Sequence, residues 1–241
     1  MTLLLLAGTG EARAIALALA GRDVIASLAG ATRAPTDLGV PTRSGGFDGP
    51  AGFTAFLAEH NITAVLDATH PYAARITARS AAICAAQDIP FLQYLRPPWT
   101  PDAGDHWTTI GAEEDAADLI PQGATVFLGT GRQTLSRFVN LQGRRVICRQ
   151  IDPPEGPFPF PGGEFLVGRP PFSVAHETAL FRRLAVDYLI VKNAGGEASR
   201  TKLIAARQLN IPVLMLARPD PGDWPCVSAF ADARQWAEAR C

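Results

Sequence analysis

The chain has 241 residues, 47% of them hydrophobic and 19% charged, which is the balance of a folded globular protein of one large or two small domains. Its 22 Lys and Arg against 23 Asp and Glu leave a formal charge of −1, so there is no basic field to hold nucleic acid or an anionic membrane. Cys84, Cys148, Cys226 and Cys241 show no CxxC or metal-like spacing, and the four histidines are equally dispersed. That excludes a zinc framework and points to a reduced chain without metal. No stretch approaches the ~20 apolar residues of a membrane span, and the opening MTLLLLAGTG lacks the basic start and the length of a signal peptide. A soluble cytoplasmic protein is expected, with nothing that demands more than a monomer.

Short apolar runs alternate with longer alanine-rich amphipathic ones, the pattern of βα units and a parallel sheet. Strands are expected at about Leu3–Ala7, Asp23–Ala26, Ala64–Asp67 and Pro90–Leu92, and helices at about Ala12–Leu19, Ala51–Glu59 and Ala73–Gln87. RPPWTPDAGDHW, Arg96 to Trp107, then stops any helix with its prolines and reads as an extended crossing between domains. The alternation resumes with strands at Thr125–Leu128, Arg145–Ile147, Tyr188–Val191 and Val213–Leu216. Helices are expected at Arg132–Asn140, Ser173–Leu184, Arg200–Leu209 and Asp232–Arg240. DPPEGPFPFPGGEF, Asp152 to Phe165, is too rich in Pro and Gly for a helix or a central strand and reads as a long loop. The expected architecture is therefore α/β, two Rossmann-like domains with parallel sheets, bounded as residues 1–97 and 98–241.

One local design recurs. LAGTGEAR, FLGTGRQT and IVKNAGGEAS each put small residues between an apolar strand and a helix start. In the first, Gly8, Thr9 and Gly10 let the backbone turn close to a ligand, and Glu11 and Ala12 open a helix whose unpaired N–H groups favour an anion. As a GxGxxG fingerprint it is incomplete, because Arg13 stands where a third Gly or Ala belongs. In units that bind NAD, an acidic residue at the end of the second strand holds the ribose 2′-hydroxyl. Here VIASLAGATR, Val24 to Arg33, offers Ser27, Gly30, Thr32 and Arg33 and no carboxylate, which suits the 2′-phosphate of NADP. The plain alternative makes the turn a tight βα connection and Arg33 a solvated loop cation.

VLDATHPYAARIT, Val65 to Thr77, brings Thr69, His70 and Tyr72 to the carboxyl end of a strand, where open α/β sheets place ligands. His70 or Tyr72 could donate a proton or orient a nicotinamide, while Thr69 is expected to cap the next helix and Pro71 to sit in its first turn. Gly129, Thr130 and Gly131 repeat the anion cradle with Arg132 beside them. Lys192 and Asn193 end an apolar strand, Gly195 and Gly196 free the backbone, and Lys202 lies in the helix beyond. Such cations and amide donors suit phosphate or carboxylate, although for Lys202 or Arg207 taken alone ordinary exposed helix charge is the better reading.

Taken in order, AGTGEAR, DATHPYA, RPPW, LGTGR and VKNAGG…TKLIAARQLNIPVLMLARP resemble the precorrin-6A reductase family of corrin biosynthesis, from near residue 3 to about residue 219. The resemblance implies an NADPH-dependent reductase of two α/β domains with a ligand cleft between them, reducing one double bond of a tetrapyrrole, precorrin-6A, to precorrin-6B. It places the family's Gly-Thr-Gly loop on Gly8 to Gly10 and its Thr-His-Pro element on Thr69 to Pro71. One departure is Ala194, where the family motif reads Lys-Asn-Ser-Gly-Gly. The implied cofactor set is Gly8, Thr9, Gly10, Glu11, Ala12, Ser27, Gly30, Arg33, Thr69, Gly129, Thr130, Gly131, Lys192 and Asn193. For the substrate, whose acetates and propionates need cations, it is Arg96, Arg132, Gly195, Gly196 and Lys202, with Arg149, Arg169, Lys192 and Arg218 as further candidates at loops and strand ends. Two rivals remain: a nucleotide-free tetrapyrrole enzyme of uroporphyrinogen-III-synthase type, and a non-catalytic NADP- or tetrapyrrole-binding protein.

Overall fold

The computed structural model describes residues 1–30, 33 and 35–241. In chain order these form β1 (Thr2–Leu6), α1 (Gly10–Ala18), β2 (Val24–Leu28), β3 (Thr42–Ser44), α2 (Gly49–Glu59), β4 (Ile62–Asp67), α3 (Ala74–Ala86) and β5 (Phe91–Tyr94). There follow β6 (Trp107–Ile110), α4 (Ala116–Leu119), β7 (Thr125–Leu128), β8 (Arg145–Gln150), β9 (Gly163–Val167), α5 (Val174–Leu184), β10 (Tyr188–Lys192), α6 (Thr201–Gln208), β11 (Val213–Leu216), β12 (Cys226–Val227) and α7 (Phe230–Glu238). Their contacts divide the described chain into residues 1–97 with 219–241, and residues 98–218.

In the first unit the strands pair in parallel in the order β12-β5-β4-β1-β2-β3. A parallel sheet is covered by helices on both faces, so its central strands must be apolar on both. β1 shows why the opening leucine run serves. Leu3 and Leu5 pack with Ala12, Ile15 and Ala16 of α1 and Ala233 and Ala237 of α7. Leu4 and Leu6 point the other way, to Phe53 and Leu57 of α2 and Cys84 of α3. Each of these leucines is almost fully buried, worth about 2 kcal/mol of transfer free energy apiece.

The second unit repeats the design in the order β6-β11-β10-β7-β8-β9, again all parallel. Its core gathers Phe127, Ile147, Leu189 and Val191 from the strands with Phe181 and Leu203 from α5 and α6. The stretch expected as a helix from Arg132 is wound as a 3₁₀ segment, Arg132–Leu141. Its buried side chains, Leu135, Phe138 and Leu141, recur every three residues, and three per turn is the winding that stacks them on one face. β9 emerges from the end of the expected Asp152–Phe165 loop as the sheet's outer strand, where the Pro-free GEFLV can pair.

Residues 219–241, expected in the second domain, pack with the first unit. Cys226 and Val227 pair with Gln93 and Tyr94 of β5, and the small buried Ala233 and Ala237 bring α7 against α1. Removing residues 219–241 should therefore free the outer edge of β5, which keeps its pairing with β4, and uncover α1. Hydrogen exchange of the truncated chain should show lost amide protection in β5 and α1, with β7, β8 and β10 keeping theirs.

Candidate functional site

In the first sheet the strand order reverses between β1 and β4, and crossovers leaving in opposite directions open a crevice at the carboxyl ends of these strands. The turn after β1 and the loop after β4 form its two lips. Gly8 sits at φ +143°, where a side chain is strained, and a Cβ added there or at Gly10 would meet no atom within 4 Å, so the crevice side of the turn is open to a ligand. Thr9 is the N-cap of α1: its Oγ1 accepts from Ala12 N–H at 3.1 Å and donates to the Ala68 carbonyl at 2.9 Å, tying the two lips together. The other N–H groups of the first turn have no intrahelical partner, and with the helix dipole they suit a phosphate.

The other lip differs from expectation. Thr69 does not cap α3, whose N-cap is Ala73 with no side-chain bond; instead the Thr69 N–H donates to Asp67 Oδ1 at 2.9 Å. Pro71 lies in the connecting turn before α3 rather than in its first turn. His70 Nδ1 accepts from the Tyr72 N–H at 3.3 Å, and the two rings lie 5.6 Å apart. A neutral His70 therefore carries its proton on Nε2.

Thr9, Thr69, Pro71, Tyr94 and Arg96 line one small pocket. Arg96 reaches back from beyond β5 to form an ion pair with Glu11 in the first turn of α1. Tyr94, absent from the residues that the motifs single out, is pushed above its ordinary pKa by burial and by Glu11, and remains a phenol. Its signal is the FLQY stretch, which carries the strand two residues beyond Leu92 to the sheet's carboxyl edge. Ser27 is buried at the end of β2, Gly30 turns at φ +76°, and Arg33 is exposed; Thr32 lies outside the described residues.

In the second sheet the reversal falls between β7 and β10. Gly129 lies so close to its neighbours that an added Cβ would stand 3.0 Å from Val191 and 3.5 Å from the Lys202 stem. Thr130 is buried with an unpartnered Oγ1, and burial lowers the Lys192 pKa, with Arg137 adding to the effect and Glu113 opposing it. Arg132 is exposed. Asn193 serves the fold, since its amide accepts from the Trp99 N–H at 2.8 Å and donates to the Trp99 carbonyl at 3.0 Å. Trp99 Nε1 in turn holds the Gly196 carbonyl, Arg218 Nε the Asn193 carbonyl, and Lys202 Nζ the Ser199 carbonyl. Trp99 and the VKNAGG stretch are thus two halves of one clamp. Arg149 and Glu177 form a buried bidentate pair, and Arg169 lies 3.7 Å from Asp152.

Two doubly wound sheets, the first carrying a glycine turn and a capped helix start at its switch point, define a Rossmann-like α/β protein. Residues 2–238 match the family model described as Precorrin-6x reductase CbiJ/CobK. The precorrin-6A reductase of Rhodococcus erythropolis is 43% identical over 239 residues, covering 97% of this chain and 96% of that protein. That of Rhodobacter capsulatus is 41% identical over 220 residues, 90% of this chain and 88% of its own. A solved CobK precorrin-6A reductase superimposes with a TM-score of 0.94 at 38% identity, covering all of this chain and 97% of that one. The chain belongs to the precorrin-6x reductase family. Among the described residues, no helix is long and apolar enough to cross a membrane.

Asp67 gives this site a pH signature. It is fully buried, Oδ2 has no partner, and burial raises its pKa more than the nearby Thr77 and Thr69 lower it. A carboxyl that holds its proton more tightly in the folded chain loses stability as pH rises from the ordinary carboxylate value toward its raised one. Unfolding titrations of wild type and Asp67→Asn should diverge across that interval, wild type falling relative to the variant by up to about 1.4 kcal/mol per pH unit.

Proposed function

We propose that the protein reduces one double bond of precorrin-6A to give precorrin-6B in cobalamin biosynthesis, with NADPH as the reductant. The observation that carries this reading is the first switch point: an open glycine turn and a helix start with free N–H groups in a chain of the precorrin-6x reductase family. The absence of any carboxylate from Val24 to Arg33 favours the phosphorylated nucleotide. A nucleotide-free cyclase has no use for that turn, and family membership weighs against a mere carrier.

Gly8, Thr9, Gly10 and the opening of α1 bind the pyrophosphate through backbone N–H groups, with Glu11 engaged by Arg96 rather than facing the phosphates. The Thr69 loop and Tyr94 position the reacting end of the cofactor, which when bound supplies a hydride to one carbon of the macrocycle. A proton must reach the adjacent carbon. His70 is the donor in this reading, an imidazolium when it gives up the proton and a neutral ring afterwards, and the Tyr72 N–H that the neutral ring accepts at Nδ1 orients it. Gly129, Thr130, Gly131 and Lys192, with Arg132, Gly195, Gly196 and Lys202, form the anion-holding set of the second unit. The half-buried Lys192 ammonium is the strongest member for a carboxylate.

Purified protein given precorrin-6A and NADPH without oxygen should oxidise the nucleotide and add two hydrogens to the substrate by mass; no turnover with nucleotide bound would leave a carrier. Gly8→Val should raise the NADPH Kd at least ~10-fold with an unchanged circular dichroism spectrum, because the side chain would enter the phosphate approach in a strained conformation. His70→Ala should lower kcat by roughly 10²-fold with NADPH affinity kept, the size expected for loss of a general acid.

A further inference from the structure

The 2′-position of a bound dinucleotide is read at the carboxyl end of the second strand. Here the strand next to it supplies a cation that lies outside every motif of the chain. In the β2–β3 pair Ser27 stands directly opposite Arg43, and Arg43 donates from Nη1 to Ser27 Oγ at 2.8 Å. Nη1 also holds the Gly45 carbonyl at 3.0 Å and Nη2 the Gly46 carbonyl at 2.6 Å, while the guanidinium lies 4.1 Å from the Phe47 ring centroid and 5.3 Å from that of Phe56. The guanidinium is thus locked in place by two rings and three acceptors.

None of those acceptors carries a charge, and among the described residues no carboxylate pairs with Arg43. Of the five N–H donors of a guanidinium, three are used internally and two stay available to a ligand. A half-buried, preorganised and unneutralised arginine beside a hydroxyl is what a phosphate monoester needs. Arg33, by contrast, is exposed on the loop beyond β2. We propose that Arg43, together with the Ser27 hydroxyl, recognises the 2′-phosphate of NADPH and sets the preference for NADPH over NADH. This rests on the nucleotide reading of the first unit.

The test is a fluorescence titration of the whole chain with NADPH and with NADH, for wild type, Arg43→Ala, Arg43→Lys and Arg33→Ala. The expected result is that wild type and Arg33→Ala prefer NADPH, and that Arg43→Ala loses that preference by ~10-fold or more while its NADH affinity stays at the wild-type level. Retained NADH affinity also shows that the variant is folded. If Arg43→Ala binds neither nucleotide, Arg43→Lys decides: NADH binding with a reduced NADPH preference supports the proposal, and a folded variant that binds neither overturns it. NADPH preference intact in Arg43→Ala, or lost in Arg33→Ala alone, overturns it and leaves the cofactor reading standing. Equal affinity of wild type for both nucleotides also overturns it, since no phosphate is then being read. A wild-type protein that binds neither sinks the cofactor reading itself, a different failure from the others.

Discussion

A parallel sheet whose strand order reverses cannot close over the ends of the two strands at the reversal, because the segments leaving them diverge to opposite faces. In the first unit those strands are β1 and β4, and the site is assembled from what this divergence leaves behind. The turn after β1 must be small enough to pass under a ligand, which Gly8 and Gly10 allow. The loop after β4 must be held without a helix cap of its own, which Asp67 does through the Thr69 N–H. The Thr9 hydroxyl, bonded at once to α1 and to the Ala68 carbonyl, fixes the width of the gap. A buried carboxyl with one unpartnered oxygen is a destabilising choice, and it lies directly beneath the loop that forms one lip of the crevice.

Charge obeys a related constraint. A chain of net charge −1 can offer an anion only those cations that its own carboxylates do not neutralise and whose donors its carbonyls do not use up. Arg149 is held by Glu177, Arg207 by Asp102 and Asp105, and Arg144 by the carbonyls of Ala117, Ile120 and Asn140. Arg96 is shared with Glu11. The guanidinium of Arg43 is bound only by neutral oxygens and keeps two N–H donors beyond them. Binding an anion would give this guanidinium the counter-charge that its neutral partners do not supply.

How much of the fold can be read from the residues follows from burial. The strands expected from apolar runs are β1, β2, β4, β5, β7, β8, β10 and β11, and these are the inner strands of the two sheets. The outer ones, β3, β6, β9 and β12, are short or polar, TRS, WTTI, GEFLV and CV, and one face or one edge of each meets solvent. They carry no run and little alternation, so nothing local separates them from loops. The same blindness explains the misplaced end of the chain: β12 and α7 belong to the first unit through pairing with β5 and packing on α1, contacts between segments more than a hundred residues apart.

Within the site the legible parts are those set by backbone geometry at a strand end. Gly8 to Gly10, Thr69 to Tyr72, Gly129 to Gly131 and Lys192 to Gly196 all lie at switch points, because small residues after an apolar strand are needed there whatever the ligand. Illegible are the meetings of side chains from different elements. The amide of Asn193 meets the Trp99 backbone at both ends, a pairing of residues 94 apart that no local pattern announces. Arg33 can be read as a candidate for a phosphate because it follows β2 in the chain, whereas Arg43 stands beside Ser27 only once β3 has paired. Charge adjacent in sequence and charge adjacent in the sheet are different quantities, and a ligand responds to the second.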